Sequence, residues 1–161
     1  LPGEALDWLS ELPDSKSFEK ELQVFHGTPS DDCEYLLEDV ESGSPRVRDE
    51  ASIASRLGDA AAPVLACGHS HLPHAVWLSS GTLVVNPGAV GLPAYDDDAP
   101  PHAMQTYSPH ASYAVVTVGD GSMPAVEFHR VAYDYIAAAD QATSLGREDW
   151  AHSLRTGRAP Q

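Results

Sequence analysis

Apolar positions along this chain follow two rhythms. Near the start, Leu6, Trp8 and Leu9 fall at near-helical spacing until Pro13-Asp14-Ser15, so residues 1–12 read as the end of a helix. Residues 21–25 read as a short strand. Ser30 is placed to cap a helix over 31–40, with Asp31 and Asp32 in the first turn, where the helix dipole favours acidic groups. A loop over 41–45 separates it from a second helix over 49–57, stopped by Gly58. From Pro63 the rhythm shifts to strands. Residues 63–67 form an unbroken apolar run, and 75–78 and 82–85 flank the hairpin turn Ser79-Ser80-Gly81. A long loop is predicted over 86–109, with five prolines and the acidic run Asp96-Asp97-Asp98. A second hairpin, 112–118 with 125–131, turns around Gly119-Asp120-Gly121. Helices over 133–145 and 147–154 close the chain. There is no internal repeat and no linker, which predicts one α/β domain over residues 1–161.

Composition narrows the partners. An apolar fraction of 42% over 161 residues supports a folded core and excludes a disordered chain. No run approaches the length of a membrane span, and no secretory leader is visible. The formal charge of −15 opposes binding to a nucleic-acid backbone or an anionic membrane; the acidity reads as solubility. Cys33 and Cys67 make no disulfide framework, Cys67 reads as a buried free thiol, and a reducing, cytoplasmic setting follows. The chain opens on Leu1, which reads as a processed product or a piece of a longer one.

Two of the apolar strands end on histidine. The run 63–67 stops at Gly68, and His69 and His71 follow one residue apart; the strand 21–25 runs into His26-Gly27. Residues at i and i+2 of an extended strand share a face, so His69 and His71 are expected to look into one crevice. Open α/β sheets bind ligands at the carboxyl ends of their strands, where His26 could join them. Neutral imidazole is a common metal ligand, and Zn, Mn or Fe suits a mixed imidazole and carboxylate site. His74, after Pro73, is a solvated loop residue or a substrate contact. Pro87 drives Asn86 extended and Gly88 is free to take a positive φ, so Asn86-Pro87-Gly88 shapes the loop behind the site. Gly68 permits close backbone approach. Asp96 to Asp98 read as a solvated acidic loop, and His102, His110, His129 and His152 as structural or exposed.

Three blocks, Phe25-His26-Gly27, Cys67-Gly68-His69-Ser70-His71-Leu72-Pro73 and Asn86-Pro87-Gly88-Ala89-Val90-Gly91, together resemble the calcineurin-like metallophosphoesterases, in particular their small bacterial phosphodiesterase-like branch. The extension Leu92 to Asp98 resembles one subgroup, and Tyr133-Asp134 and Asp149-Trp150-Ala151-His152 do so more weakly. The resemblance implies a four-layer α-β-β-α sandwich with mixed sheets. It also implies two divalent ions (Mn, Fe, Zn or Ni), one held by His26 and His69 and the other by His71. A phosphate ester, mono or diester, would be the substrate, hydrolysed by a water bridging the ions. Gly27, Gly68, His74, Asn86 and Gly88 would touch substrate or shape the site. The family's Asp-x-His, Gly-Asp and Gly-Asn-His blocks, which precede its His-Gly block, are absent here. The expectation is therefore the carboxyl-terminal part of such a domain, without its amino-terminal strands, inactive as it stands and binding at most one ion weakly. The missing amino-terminal segment is then a candidate partner. The competing expectation is a non-catalytic module that keeps a half site for a metal or a partner.

Overall fold

The computed structural model describes residues 2–119 and 122–160. Leu1, and the Asp120-Gly121 pair at the predicted turn of the last hairpin, lie outside the described residues. In chain order the elements are α1 (Gly3–Ser10), β1 (Ser15–Phe18), β2 (Leu22–Phe25), β3 (Glu38–Asp39), β4 (Arg46–Val47), α2 (Glu50–Leu57), β5 (Val64–Ala66), β6 (His74–Trp77) and β7 (Leu83–Asn86). They continue with β8 (Ala94–Asp98), β9 (Pro101–Gln105), β10 (Ala111–Gly119), β11 (Ser122–Val131), α3 (Tyr135–Ser144) and α4 (Glu148–Thr156).

The main sheet has the order β1-β2-β5-β7-β6. Its centre, β2, β5 and β7, is parallel, and the edge strands β1 and β6 run antiparallel to it. β5 and β7 are buried on both faces, which is why they are continuously apolar up to their ends, whereas β2, with Gln23, is mostly half-buried. On one face Leu65, Cys67 and Val84 pack with Phe25, Leu36, Leu37 and, from α2, Ile53 and Leu57. On the other face Val64, Leu83 and Val85 meet Ala114, Val116 and Val126 of the β10–β11 ribbon. Helix, mixed sheet and second sheet thus stack as part of an α/β sandwich. The ribbon's other face holds Tyr113 and Val115 at 42% and 45% exposure. The helices α3 and α4 close on each other through Ala139, Ala142, Ala151 and Leu154, with α4 lying against β8.

Local signals set α2 as expected. The Asp49 side chain accepts from Ser52 N at 2.8 Å, and Gly58 leaves the helix at φ 56°. The β6–β7 hairpin also forms as expected, with Gly81 at φ 89° in its turn.

Two expectations fail. The segment 31–40 is not a helix. Its backbone groups are turned to other uses: Asp31 O accepts from Thr28 N at 2.7 Å, and Cys33 O faces His69 Nε2 at 3.0 Å. The loop predicted over 86–109 contains the β8–β9 hairpin, with Tyr95 opposite Met104 and Asp97 opposite His102. Residues 15–18, which follow the helix stop and were given no element, pair with β2 as an edge strand. No helix among the described residues is long and apolar enough to cross a membrane.

Leu65 has no exposed surface and sits in the layer beneath α2. Leu65→Ala is expected to cost about 2–5 kcal/mol of unfolding free energy. Val115→Ala, on the exposed ribbon face, is expected to stay within about 0.5 kcal/mol. Denaturant midpoints of the two variants check both values.

Candidate metal centre at the strand ends

The parallel strands stop at one level, and the histidines follow directly. His26 leaves β2, and Gly68 N–H donates to His26 O at 2.6 Å. A Cβ on Gly68 would lie 3.5 Å from that carbonyl oxygen, an ordinary contact, so the approach expected to need glycine here leaves room for a side chain. The His26 and His69 rings stand 5.1 Å apart.

His69 and His71 are not on an extended strand. β5 ends at Ala66, and both residues have left-handed backbones, with φ of 63° and 62°. Their common side is set by a turn, not by strand alternation as the sequence suggested. Such φ values disfavour any residue with a Cβ, so neighbouring bonds must hold the turn.

The first of these is the side chain of Asn86, which is fully buried. Its Nδ2 donates to Gly68 O at 2.7 Å and Ser70 Oγ at 2.9 Å, while its Oδ1 accepts from Gly88 N at 2.9 Å. Gly88 takes φ 85°, the positive value its place in the sequence allowed. A Cβ there would lie 2.9 Å from Ser112 Oγ, and Ser112 Oγ–H donates to Pro87 O at 2.8 Å. The Asn86-Pro87-Gly88 loop is thereby fastened to β10. Gly27 is needed for space: a Cβ would meet the carbonyl oxygens of Asp31, Asp32 and Glu34, each at 2.7 Å.

Four residues missed in the sequence surround the histidines. The Tyr35 ring stacks on His69 at 4.6 Å, and Tyr95 meets His71 edge-on at 5.0 Å. His102 bonds to Tyr35. His74 faces Glu38, with Nδ1 2.9 Å from Oε1; the Glu38 carboxylate is 1% exposed. Tyr35 and Glu38 were hidden in the segment misread as a helix, Tyr95 and His102 in the one misread as a loop. The aromatic spacing of Tyr95 and His102 around Pro100-Pro101 was the available signal.

Neutral imidazole is a donor chemistry suited to a divalent cation. Burial, and then the neighbouring His26, holds the His69 ring below its ordinary range. Burial lowers His71 likewise, with His69 and His26 adding to it. Both rings are therefore held neutral, as ligands must be. His71 Nδ1 is buried without a hydrogen-bond partner. The three imidazoles do not close on one point. Among the described residues the one group of three or more His, Cys, Asp or Glu ligand atoms lying within 4.8 Å of one another is Asp31, Asp32 and Cys33, all exposed. A hydrogen bond to Asp32 raises the Cys33 thiol, which makes it a poorer ligand. Cys67 is a buried free thiol, also pushed up by burial.

Neutral, buried imidazoles make stability depend on pH. Unfolding returns His69 and His71 to the ordinary value of 6.5, so below it the unfolded chain binds more protons. Their contribution is complete above that value and is lost as pH falls through the lowered, folded values. The metal-free melting temperature is expected to fall between about pH 7.5 and about pH 5.5. The double variant His69→Gln, His71→Gln is expected to flatten part of that fall. Melting curves of both proteins across the range check it.

No protein-family model matches the chain, and no curated protein matches it. Among solved structures it is similar to a metallophosphoesterase from Sphaerobacter thermophilus, with a TM-score of 0.68 and 24% identity. That match covers 98% of this chain and 64% of the other. A Vps29 variant from Entamoeba histolytica overlaps more loosely, with a TM-score of 0.40 and 14% identity over 76% of this chain and 63% of that one. The first likeness shows the fold: the chain has the architecture of a metallophosphoesterase and spans 64% of the length of the structure that defines the match.

Proposed function

We propose that this chain is the histidine-bearing part of a metal-dependent phosphoesterase. The observation that carries this reading is the pair of neutral imidazoles on a left-handed turn beside His26, with His71 Nδ1 buried and unpartnered. His26 and His69 would hold one divalent ion and His71 a second, a division supported by the failure of the three rings to meet at one point. Bound ions supply Lewis-acid polarisation of a phosphoryl oxygen and activation of water. The protein's own part is to keep the rings neutral, fix their direction through the Asn86 amide, and exclude bulk water with the Tyr35 and Tyr95 rings. His74, its ring oriented by Glu38, and the turns at Gly27, Gly68 and Gly88 would shape the place where the phosphate ester lies.

Three neutral imidazoles do not offset the charge of two divalent ions in a partly dry site. We assign the missing carboxylates to the amino-terminal segment of a longer protein. The 64% coverage of the related structure supports this, as does the exposed Tyr113–Val115 face of the ribbon, where further layers could pack. The two free thiols support a reducing, cytoplasmic setting.

A second reading, a non-catalytic module with a half site, is favoured by one observation. Among the described residues no group of three or more ligand atoms within 4.8 Å of one another combines an Asp or Glu with these histidines. Hydrolysis of an aryl phosphodiester with Mn²⁺, by a chain extended upstream of Leu1 to include the carboxylate blocks, separates the readings. Turnover is expected, with His71→Ala reducing it by at least about 100-fold. His110→Ala, away from the site, is expected to leave it within a few-fold. No turnover from the full ligand set contradicts the enzyme reading and leaves the half-site module.

A further inference from the structure

The β8–β9 hairpin reaches from the far side of the sheet ends to the histidine turn, and it does so through one hydroxyl. Tyr95 Oη–H donates to His69 O at 3.0 Å, while the Tyr95 ring edge lies against His71 at 5.0 Å and 73°. A carbonyl oxygen only accepts, so the Tyr95 proton is committed to His69. Tyr35 Oη, 2.8 Å away, has one proton, which goes either to Tyr95 Oη or to His102 Nε2. The Tyr35 ring stacks on His69 at 4.6 Å and 24°, and its hydroxyl also meets His102 Nε2 at 3.1 Å. His102 is 7% exposed, and its Nδ1 is fixed on Pro100 O at 2.6 Å.

We propose that Tyr95, braced by Tyr35 and His102, is the positioning residue that holds the left-handed His69–His71 turn in the form that presents both rings. Three separate chain segments meet in this row: the turn itself, the loop carrying Tyr35, and the hairpin carrying Tyr95 and His102. The φ values of 63° and 62° at His69 and His71 are disfavoured for residues with a Cβ and need support from outside the turn. Asn86 supports the turn from below through Gly68 and Ser70, and Tyr95 supports it from the other side through His69 O. Neither aromatic touches a metal in this role. They act as outer partners act on ligating histidines, by fixing ring direction.

The inference rests on the reading of His69 and His71 as ligands, and its test separates the two. Tyr95→Phe keeps the ring on His71 and removes only the hydroxyl; Tyr35→Phe removes the brace alone; Tyr113→Phe, on the ribbon, is the control. Each full chain is titrated with Co²⁺, read by calorimetry and by the visible absorption of the bound ion. Imidazole and backbone resonances are recorded without metal. Tyr95→Phe is expected to weaken Co²⁺ about 10-fold or more, to alter the absorption bands, and to move the His69 and His71 signals before metal is added. Tyr35→Phe is expected to do the same to a smaller degree, and Tyr113→Phe to do none of it. Unchanged affinity, bands and histidine signals in Tyr95→Phe overturn the proposal. If the parent chain binds no Co²⁺ yet the metal-free His69 and His71 signals move in Tyr95→Phe, the positioning role stands and the ligand reading falls.

Discussion

A single buried amide holds the two halves of the site in register. Asn86 has no exposed surface and spends its side chain on three bonds, two to the histidine turn and one to the turn at Gly88. A buried amide left without partners costs about 1–3 kcal/mol per lost bond, so the packed sheet and the paired turns require each other. The sheet brings β5 and β7 side by side; the amide then converts that adjacency into a fixed direction for His69 and His71. Asn86 is the last residue of β7 and directly opposes His74, which extends the same constraint to the Glu38–His74 pair.

The sandwich explains why the chemistry gathers at one end. Burial on both faces leaves β5 and β7 no polar side chains from Val64 to Ala66 or from Leu83 to Val85. In these two strands polar groups enter only where the strands stop. Gly27 and Gly88 then let turns after β2 and β7 crowd against their neighbours at distances that a Cβ would disturb. The hairpin β8–β9 and the loop before β3 cover the turns with Tyr95 and Tyr35, and this cover is also the burial that keeps His69 and His71 neutral.

Much of the scaffold was legible because its signals are local. The apolar runs 22–25 and 63–67, the hairpin around Gly81, and α2 between Asp49 and Gly58 each contain their own start and stop. The strand-end positions of His26, His69 and His71 followed from them. What could not be read depends on contacts distant in sequence. Residues 31–40 carry two acids at a helix start and apolar Leu36, Leu37 and Val40. Their backbone groups nevertheless serve Thr28 and face His69, and β3 pairs with β4. Tertiary use overrode local propensity there. Pro100 and Pro101 made 86–109 look like a loop, although they sit at the turn of a hairpin whose two strands alternate Tyr95 and Met104 across the ladder. The left-handed φ of His69 and His71 had no sequence signal at all, since neither is glycine.

The account stands on His26, His69 and His71 acting together as cation ligands. Mn²⁺ broadens the resonances of nuclei close to where it binds, so substoichiometric Mn²⁺ added to this chain, with imidazole signals assigned, tests that claim directly. The account predicts early loss of the His26, His69 and His71 signals while those of His110, His129 and His152 persist. Selective loss around the exposed Asp31–Asp32 pair, with the three strand-end histidines intact, would contradict it.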